Sequence, residues 1–415
     1  MSETYVVLGA GAAGLAAVRA IRRRDEAGRI IVVTAECCPA YSPALLPYLL
    51  AGTVEEKGLA LADQRFYDAH QAVLVSGTRV VGVDFERLAV LVEQGGAIKY
   101  TTLLIATGAA ARGEEVPGAT GADGPLTLRT LADARILQGR LEEAESVAVL
   151  GAGLAGLEIA MAVRKLGKQV TVLARSDQIL CRNAEVGEAT IVQGWLEEAG
   201  IRFLLGRGAS AFEDAGRRRF LTTTRGDAVP ADLCVAAKGA APNTAWAAPV
   251  GVRADRGLAV DAGMRTGIPN VFAAGDAALT RHAVTGQVEA FATWPSACAQ
   301  GAVAGANMAG ADARLSGEIP FNVLPVFERR VAFMGCTSSE ALRSLGEGVE
   351  QRVIGCPALG RGRTLWFHDG RVVGAVVIGS RQDAGRLRQA IQSGVGSAHR
   401  CGGVQWPLRR TSLRR

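Results

Sequence analysis

The chain has 415 residues, 49% of them hydrophobic and 21% charged, with 52 glycines and a formal net charge of +6. Such a composition excludes global disorder, and at roughly 150 residues per domain the length predicts two or three domains with cores of their own. Five of the six net charges lie on Arg400, Arg409, Arg410, Arg414 and Arg415 in the basic tail 396–415, so the rest of the chain is nearly neutral and lacks a field for wrapping nucleic acid.

The first predicted elements run Tyr5-Val-Val-Leu-Gly9-Ala-Gly11-Ala-Ala13-Gly14, then Ile30 to Glu36. They read as an apolar strand, a glycine turn, a helix and a β-branched strand. Gly9 makes the tight turn, Gly11 lets a pyrophosphate approach the backbone, and Gly14 allows close helix–strand packing. The helix beginning near Gly11 points unpaired N–H groups at the phosphates, and Glu36 stands where a carboxylate accepts from ribose hydroxyls. Val80–Leu91 alternates like a strand, and Leu103–Ala106 is a strand closing on Thr107-Gly108. Pro117–Arg129, rich in Gly and Pro, reads as a linker.

The opening unit then recurs 142 residues later. Val147-Ala-Val-Leu-Gly151-Ala-Gly153-Leu-Ala-Gly156-Leu-Glu158 is followed by Gln169 to Arg175, which makes an internal duplication. Here the strand ends Leu173-Ala174-Arg175-Ser176, with no acid at the ribose position. An Arg there can pair with a 2′-phosphate, so NAD and NADP both stay open. Ile201–Leu205, Phe220–Thr224 and Leu233–Ala236 are expected strands, Gly267–Asp276 a strand ending in Gly275-Asp276, and Ser296–Met308 a helix of small residues. From about residue 320 the pattern changes to strands at Val331–Met334, Thr364–Phe367 and Val372–Ile378 and a helix at Ala384–Gln392, expected to form a smaller α+β domain.

The eight cysteines, at 37, 38, 181, 234, 298, 336, 356 and 401, contain no C-x-x-C and no zinc or iron–sulfur spacing. No metal site is expected. Without a leader or an apolar run long enough to span a bilayer, a cytoplasmic setting without membrane insertion is the expectation.

Two dinucleotide turns in one chain suggest hydride transfer from a nicotinamide to a second redox cofactor. On its motifs, the sequence resembles the FAD-dependent pyridine nucleotide–disulfide oxidoreductase superfamily. The first turn resembles its FAD site and the second its NAD(P) site. Thr102–Gly108 is similar to the strand that closes the FAD domain, Gly267–Asp276 to the distal FAD motif, and Gly239-Ala-Ala-Pro242-Asn243 to the Gly-x-x-Pro-Asn turn. Glu158 matches an acid that commonly lies near the nicotinamide. The resemblance implies two Rossmann-like α/β domains of three layers and a C-terminal α+β interface domain. It implies a split FAD domain at 1–117 and 245–318, an inserted NAD(P) domain at 118–244, and an interface domain at 319–395. It further implies FAD contacts from Gly9, Gly11, Ala13, Gly14, Glu36, Thr107, Gly108, Gly275, Asp276 and Trp294. The implied NAD(P) contacts are Gly151, Gly153, Gly156, Glu158, Arg175 and Gly239. Hydride exchange at a flavin needs ring stacking and no acid–base side chain, so no catalytic residue is named.

The redox C-x4-C pair of the disulfide reductases is absent. Single-cysteine members such as coenzyme A disulfide reductase place their thiol at about Ala44, and the branch's basic residue falls at Pro43. Tyr41–Gly52 and Ala292–Gly301 resemble the branch of rubredoxin reductases, the flavin part of NADH-dependent nitrite reductase and the flavin subunit of phenylglyoxylate dehydrogenase. This implies electron exchange between NAD(P)H and an iron–sulfur partner, with the phenylglyoxylate-type complex as the favoured form and a hetero-oligomer or homodimer as the expected assembly. The alternatives are a stand-alone rubredoxin or ferredoxin reductase, a CoA-disulfide or thiol reductase using Cys37 or Cys38, and a flavin-binding regulatory protein.

Overall fold

The computed structural model describes residues 3–119, 124–214, 219–246, 256–379 and 384–394. The basic tail and Cys401 lie outside the described residues.

The protein is α/β, with two Rossmann-like units and a C-terminal α+β unit. The first unit is built on a five-stranded parallel sheet in the order Val271–Ala273, Thr102–Ile105, Thr4–Leu8, Arg29–Val33, Ala72–Val75. Its central strands are almost wholly apolar because both faces are covered. Val7, Ile30, Val32 and Leu104 pack under the helices Ala12–Arg22 and Trp294–Met308. Val6, Leu8, Ile31 and Leu103 pack under a three-stranded antiparallel layer, Val80–Asp84, Ala89–Val92 and Ala97–Lys99. The segment that alternates from Val80 is thus a hairpin and not one long strand. The run of small residues in the Trp294 helix has a direct cause. A Cβ on Gly301 would collide with the backbone of Ala13, and one on Gly305 with the backbone of Ala17. The two helices therefore sit closer than any larger residue would permit.

The second unit repeats this plan. Its parallel sheet runs Ile201–Leu204, Gln169–Leu173, Ser146–Leu150, Leu233–Ala236. One face carries the helices Leu154–Lys165 and Val186–Glu198, and the other a meander of Ala209–Asp214, Arg219–Thr223 and Ala228–Pro230. Two short antiparallel strands, Ala109–Ala111 and Ala240–Pro242, carry the chain between the units.

The third unit is a five-stranded antiparallel sheet ordered Phe321–Val326, Arg329–Gly335, Arg371–Ile378, Arg361–His368, Glu350–Cys356. Helix Ala384–Ser393 covers one face through Leu387, Ala390 and Ile391. The other face, through Val331, Phe333 and Val376, joins the core of the second unit. The three inner strands match the expected ones, extended by a few residues. The two edge strands went unrecognised in the sequence. Glu350–Cys356 is exposed along most of its length, and Phe321–Val326 carries Pro325, which sheets tolerate only at an edge.

Candidate functional site

Both glycine turns are built alike. Gly9 has φ +107° and Gly151 φ +133°, a region closed to other residues without strain. A Cβ on Gly9 would strike the Ala106 carbonyl, and one on Gly151 the Ala237 carbonyl. In each turn the third glycine packs on the first: side chains at Gly14 and Gly156 would collide with the carbonyls of Gly9 and Gly151. The middle glycines differ. Gly11 and Gly153 have nothing within 4 Å of where a Cβ would stand, and each is the N-cap of its helix without a side-chain cap. Unpaired helix N–H groups therefore face open space, the arrangement that accepts a pyrophosphate. The residues fit a dinucleotide at both turns.

At the first turn the described structure brings most of the expected residues together. Ala13 packs against the Trp294 helix and lies beside Gly275, whose hypothetical Cβ would sit 3.2 Å from Ala13 Cβ. Glu36 is exposed at its strand end, and the Tyr41 hydroxyl donates to Glu36 Oε2 at 2.8 Å while accepting from the Leu131 N–H at 2.9 Å. Burial and the Glu36 carboxylate push the Tyr41 phenol up from its ordinary pKa, so it stays a donor. One Glu36 oxygen is thereby fixed and the other left for a ligand.

Gly275-Asp276 follows strand Val271–Ala273 as a single 3-10 turn. Its two anchors were not visible in the sequence. Arg129 Nη2 donates to Asp276 Oδ2 at 2.6 Å and its Nε to the Ala109 carbonyl at 2.9 Å. Behind the turn, Gln300 Oε1 accepts from the Gly275 N–H at 2.7 Å, and Gln300 Nε2 donates to Glu318 Oε2 at 2.7 Å. Thr280 Oγ1 donates to the same carboxylate oxygen at 2.5 Å. Arg129 belongs to the segment that reads as a linker, yet Leu126 in that segment is hydrogen-bonded to Cys234 and Ala236 as an extra parallel bridge on the second sheet.

Thr107, Gly108 and Gly239 occupy the crossing between units. Thr107 Oγ1 donates to the Asn243 carbonyl at 2.8 Å, Asn243 Nδ2 returns a bond to the Thr107 carbonyl, and the Gly108 carbonyl accepts from Asn243 N. The Gly239 carbonyl accepts from Arg112 N. Trp294 is the first residue of its helix and 37% exposed, so it is not a core aromatic.

Glu158 lies on helix Leu154–Lys165, and burial pushes its carboxyl pKa up to about 7. Tyr48, from helix Leu46–Leu50, is near enough for the Glu158 charge to raise its own pKa. The segment where relatives carry a redox thiol thus meets the second unit here, with apolar and phenolic side chains. Cys37 is exposed, and Cys38 Sγ lies 3.8 Å from Glu36 Oε2, whose charge together with burial raises the thiol pKa. Arg175 pairs with Glu114 at 3.0 Å, and Glu114 also meets Lys238 at 2.8 Å. Among the described residues no group of three or more His, Cys, Asp or Glu could hold a metal ion, and no helix is long and apolar enough to cross a membrane.

Comparison with known proteins agrees with this geometry. Residues 3–301 match the family model described as pyridine nucleotide-disulphide oxidoreductase. The chain is 32% identical over 396 residues to the ferredoxin–NAD(+) reductase component of the anthranilate 1,2-dioxygenase system of Burkholderia cepacia, covering 95% of each chain. It is 31% identical over 336 residues to subunit epsilon of the NADH-dependent phenylglyoxylate dehydrogenase of Aromatoleum evansii, covering 80% of this chain and 79% of that one. Among solved structures, the ferredoxin reductase for the CYP199A2 system from Rhodopseudomonas palustris superposes with a TM-score of 0.86 at 26% identity, over 95% of this chain and 96% of that one.

Proposed function

The chain belongs to the pyridine nucleotide-disulphide oxidoreductase family as an FAD-dependent NAD(P) oxidoreductase, and we propose that it carries electrons between a nicotinamide and an iron–sulfur protein partner. The carrying observation is the pair of open glycine turns on one chain, with no thiol in the Pro43–Leu50 segment to relay electrons to a disulfide. The relatives support the partner's class, since one is named a ferredoxin–NAD(+) reductase component along nearly its whole length. When bound, the flavin supplies the conversion between paired and single electrons.

In this reading the first turn holds FAD. Gly11 and the helix N–H groups receive the pyrophosphate, Glu36 the ribose hydroxyls, and Asp276, steadied by Arg129 and the Gln300–Glu318 pair, the far end. The unit at 118–244 takes the nicotinamide dinucleotide at Gly151–Gly156, with Glu158 at the junction. Residues 1–117 and 245–318 form the FAD domain, and 319–395 face the partner or a second subunit. Ring positioning, not side-chain acid–base chemistry, is what the chain contributes to hydride exchange.

Anaerobic titration tests the reading. NAD(P)H should bleach the flavin absorbance, and an oxidised [2Fe–2S] ferredoxin or rubredoxin should restore it. A flavin that no nicotinamide bleaches, or that neither protein reoxidises, would sink it. A second, finer reading makes the chain the flavin subunit of a phenylglyoxylate-type 2-oxoacid oxidoreductase, supported by its identity to subunit epsilon. Co-purification with thiamine-diphosphate and iron–sulfur subunits is its test.

A further inference from the structure

We propose that the second glycine turn is built for NADP(H), with Arg175 as the cation that receives the 2′-phosphate; this rests on the reading that the Gly151 turn binds a nicotinamide dinucleotide. At the carboxyl edge of a parallel sheet, the residue ending the second strand meets the adenosine ribose, and an acid there selects the free 2′-hydroxyl. Strand Gln169–Leu173 ends on Ala174 instead, a buried residue with no polar side chain. The carboxylate that would repel a phosphate from that position is missing.

What stands there is positive. Arg175 follows directly, with its side chain 76% exposed and able to turn toward a ligand. Its guanidinium lies along Gly208, where a Cβ would come within 3.3 Å of Nε. Arg207 closes the other side, since its backbone N–H donates to the Ala174 carbonyl at 2.9 Å. Its Nη1 pairs with Asp227 at 3.3 Å, while its buried Nε has no hydrogen-bond partner. The Ser176 hydroxyl already donates to the Gln178 carbonyl and is not counted.

The one carboxylate that contacts Arg175 is Glu114, and it is not a free acid. Its side chain is 10% exposed and wedged between two cations, with Lys238 Nζ 2.8 Å from Oε2 and Arg175 Nη2 3.0 Å from Oε1. Lys238 alone neutralises it, so the trio carries one surplus positive charge, and that charge sits on the most exposed of the three side chains. Glu114 holds Arg175 at the strand end in the absence of ligand. A dianionic phosphate competes for the same guanidinium and offers it a stronger pair of charge-assisted bonds.

The test is steady-state reduction of ferricyanide with each nicotinamide. Wild-type protein should show a kcat/KM for NADPH at least tenfold above that for NADH. Arg175→Ala should lower the NADPH value by about tenfold or more, through KM and with kcat little changed, while NADH shifts less than threefold. Glu114→Gln, which removes the competing carboxylate, should lower the KM for NADPH further, and flavin absorbance reports whether each variant has folded. Preference for NADH in the wild type, or an equal loss for both coenzymes in Arg175→Ala, overturns the proposal while leaving the dinucleotide reading intact. Failure of both coenzymes to bleach the wild-type flavin overturns that reading and the proposal with it.

Discussion

Replacing Gln300 by Leu should uncouple the Gly275-Asp276 turn from the helix behind it. Gln300 is fully buried and bridges two groups, accepting from the Gly275 N–H at 2.7 Å and donating to Glu318 at 2.7 Å. Leucine has a similar volume, so no large cavity opens, but both bonds go. A buried N–H left unpaired costs about 1–3 kcal/mol, and loss of a hydrogen bond to a carboxylate about 1.5–3 kcal/mol. Extra apolar burial returns about 1 kcal/mol, leaving a net loss of about 3 kcal/mol. Thr280→Val removes the second donor to Glu318, at 2.5 Å, and should cost about 1 kcal/mol. Because both donors serve one carboxylate oxygen, the double variant should depart from additivity by more than about 0.5 kcal/mol. Urea unfolding followed by circular dichroism gives the stabilities, and the rise of flavin fluorescence gives the fraction released. A Gln300→Leu loss under about 1 kcal/mol with flavin fully retained would refute the idea that this network holds the turn.

Three further outcomes follow from the same geometry. Arg129→Ala leaves Asp276 without the cation 2.6 Å away, and flavin should dissociate about tenfold more readily; an unchanged dissociation constant by fluorescence would remove Arg129 from the site. Glu158, with its pKa raised from 4.5 to about 7 by burial, binds a proton in the native state that the unfolded chain has lost between those values, so its contribution to stability falls as pH rises through that window. Glu158→Gln should flatten the stability–pH curve there by up to about 3 kcal/mol, and a curve of unaltered slope counts against the burial. Changing Cys37 and Cys38 together to Ser should leave turnover with an iron–sulfur acceptor within twofold, whereas a tenfold loss would restore a thiol relay.

The parts of this fold that the sequence displays are those written in short-range pattern. The strand-turn-helix units at Gly9 and Gly151 could be placed because three glycines in six residues are each required by a backbone collision or an open approach that no other residue satisfies. The inner strands of the third unit were legible because both their faces are apolar. What stayed hidden are the partners that only folding brings together. Arg129 and Asp276 are 147 residues apart, and nothing beside Arg129 marks it, since the adjacent Thr130 and Asp133 form an ordinary capping box. Glu318 sits in a stretch without regular pattern, and its meeting with Gln300 depends on the close packing that Gly301 and Gly305 allow.

The duplication sharpens the point. Since the two turns share their backbone, with the same strained first glycine, open second and packed third, the backbone cannot decide which dinucleotide each receives. The difference must lie where the second strand ends. There the first unit has an exposed carboxylate oriented by a phenol, and the second has an alanine followed by an exposed guanidinium held by Glu114. A carboxylate accepts from ribose hydroxyls and repels phosphate; a guanidinium does the reverse. Exchanging the two strand-end side chains should therefore move coenzyme preference without disturbing either sheet. Introducing Ala174→Glu is the direct trial: it should favour NADH over NADPH by about tenfold relative to wild type, because Coulomb repulsion of a 2′-phosphate acts within a few ångströms in a partly screened cleft. An unaltered ratio of the two kcat/KM values would mean that the strand end does not meet the ribose at all.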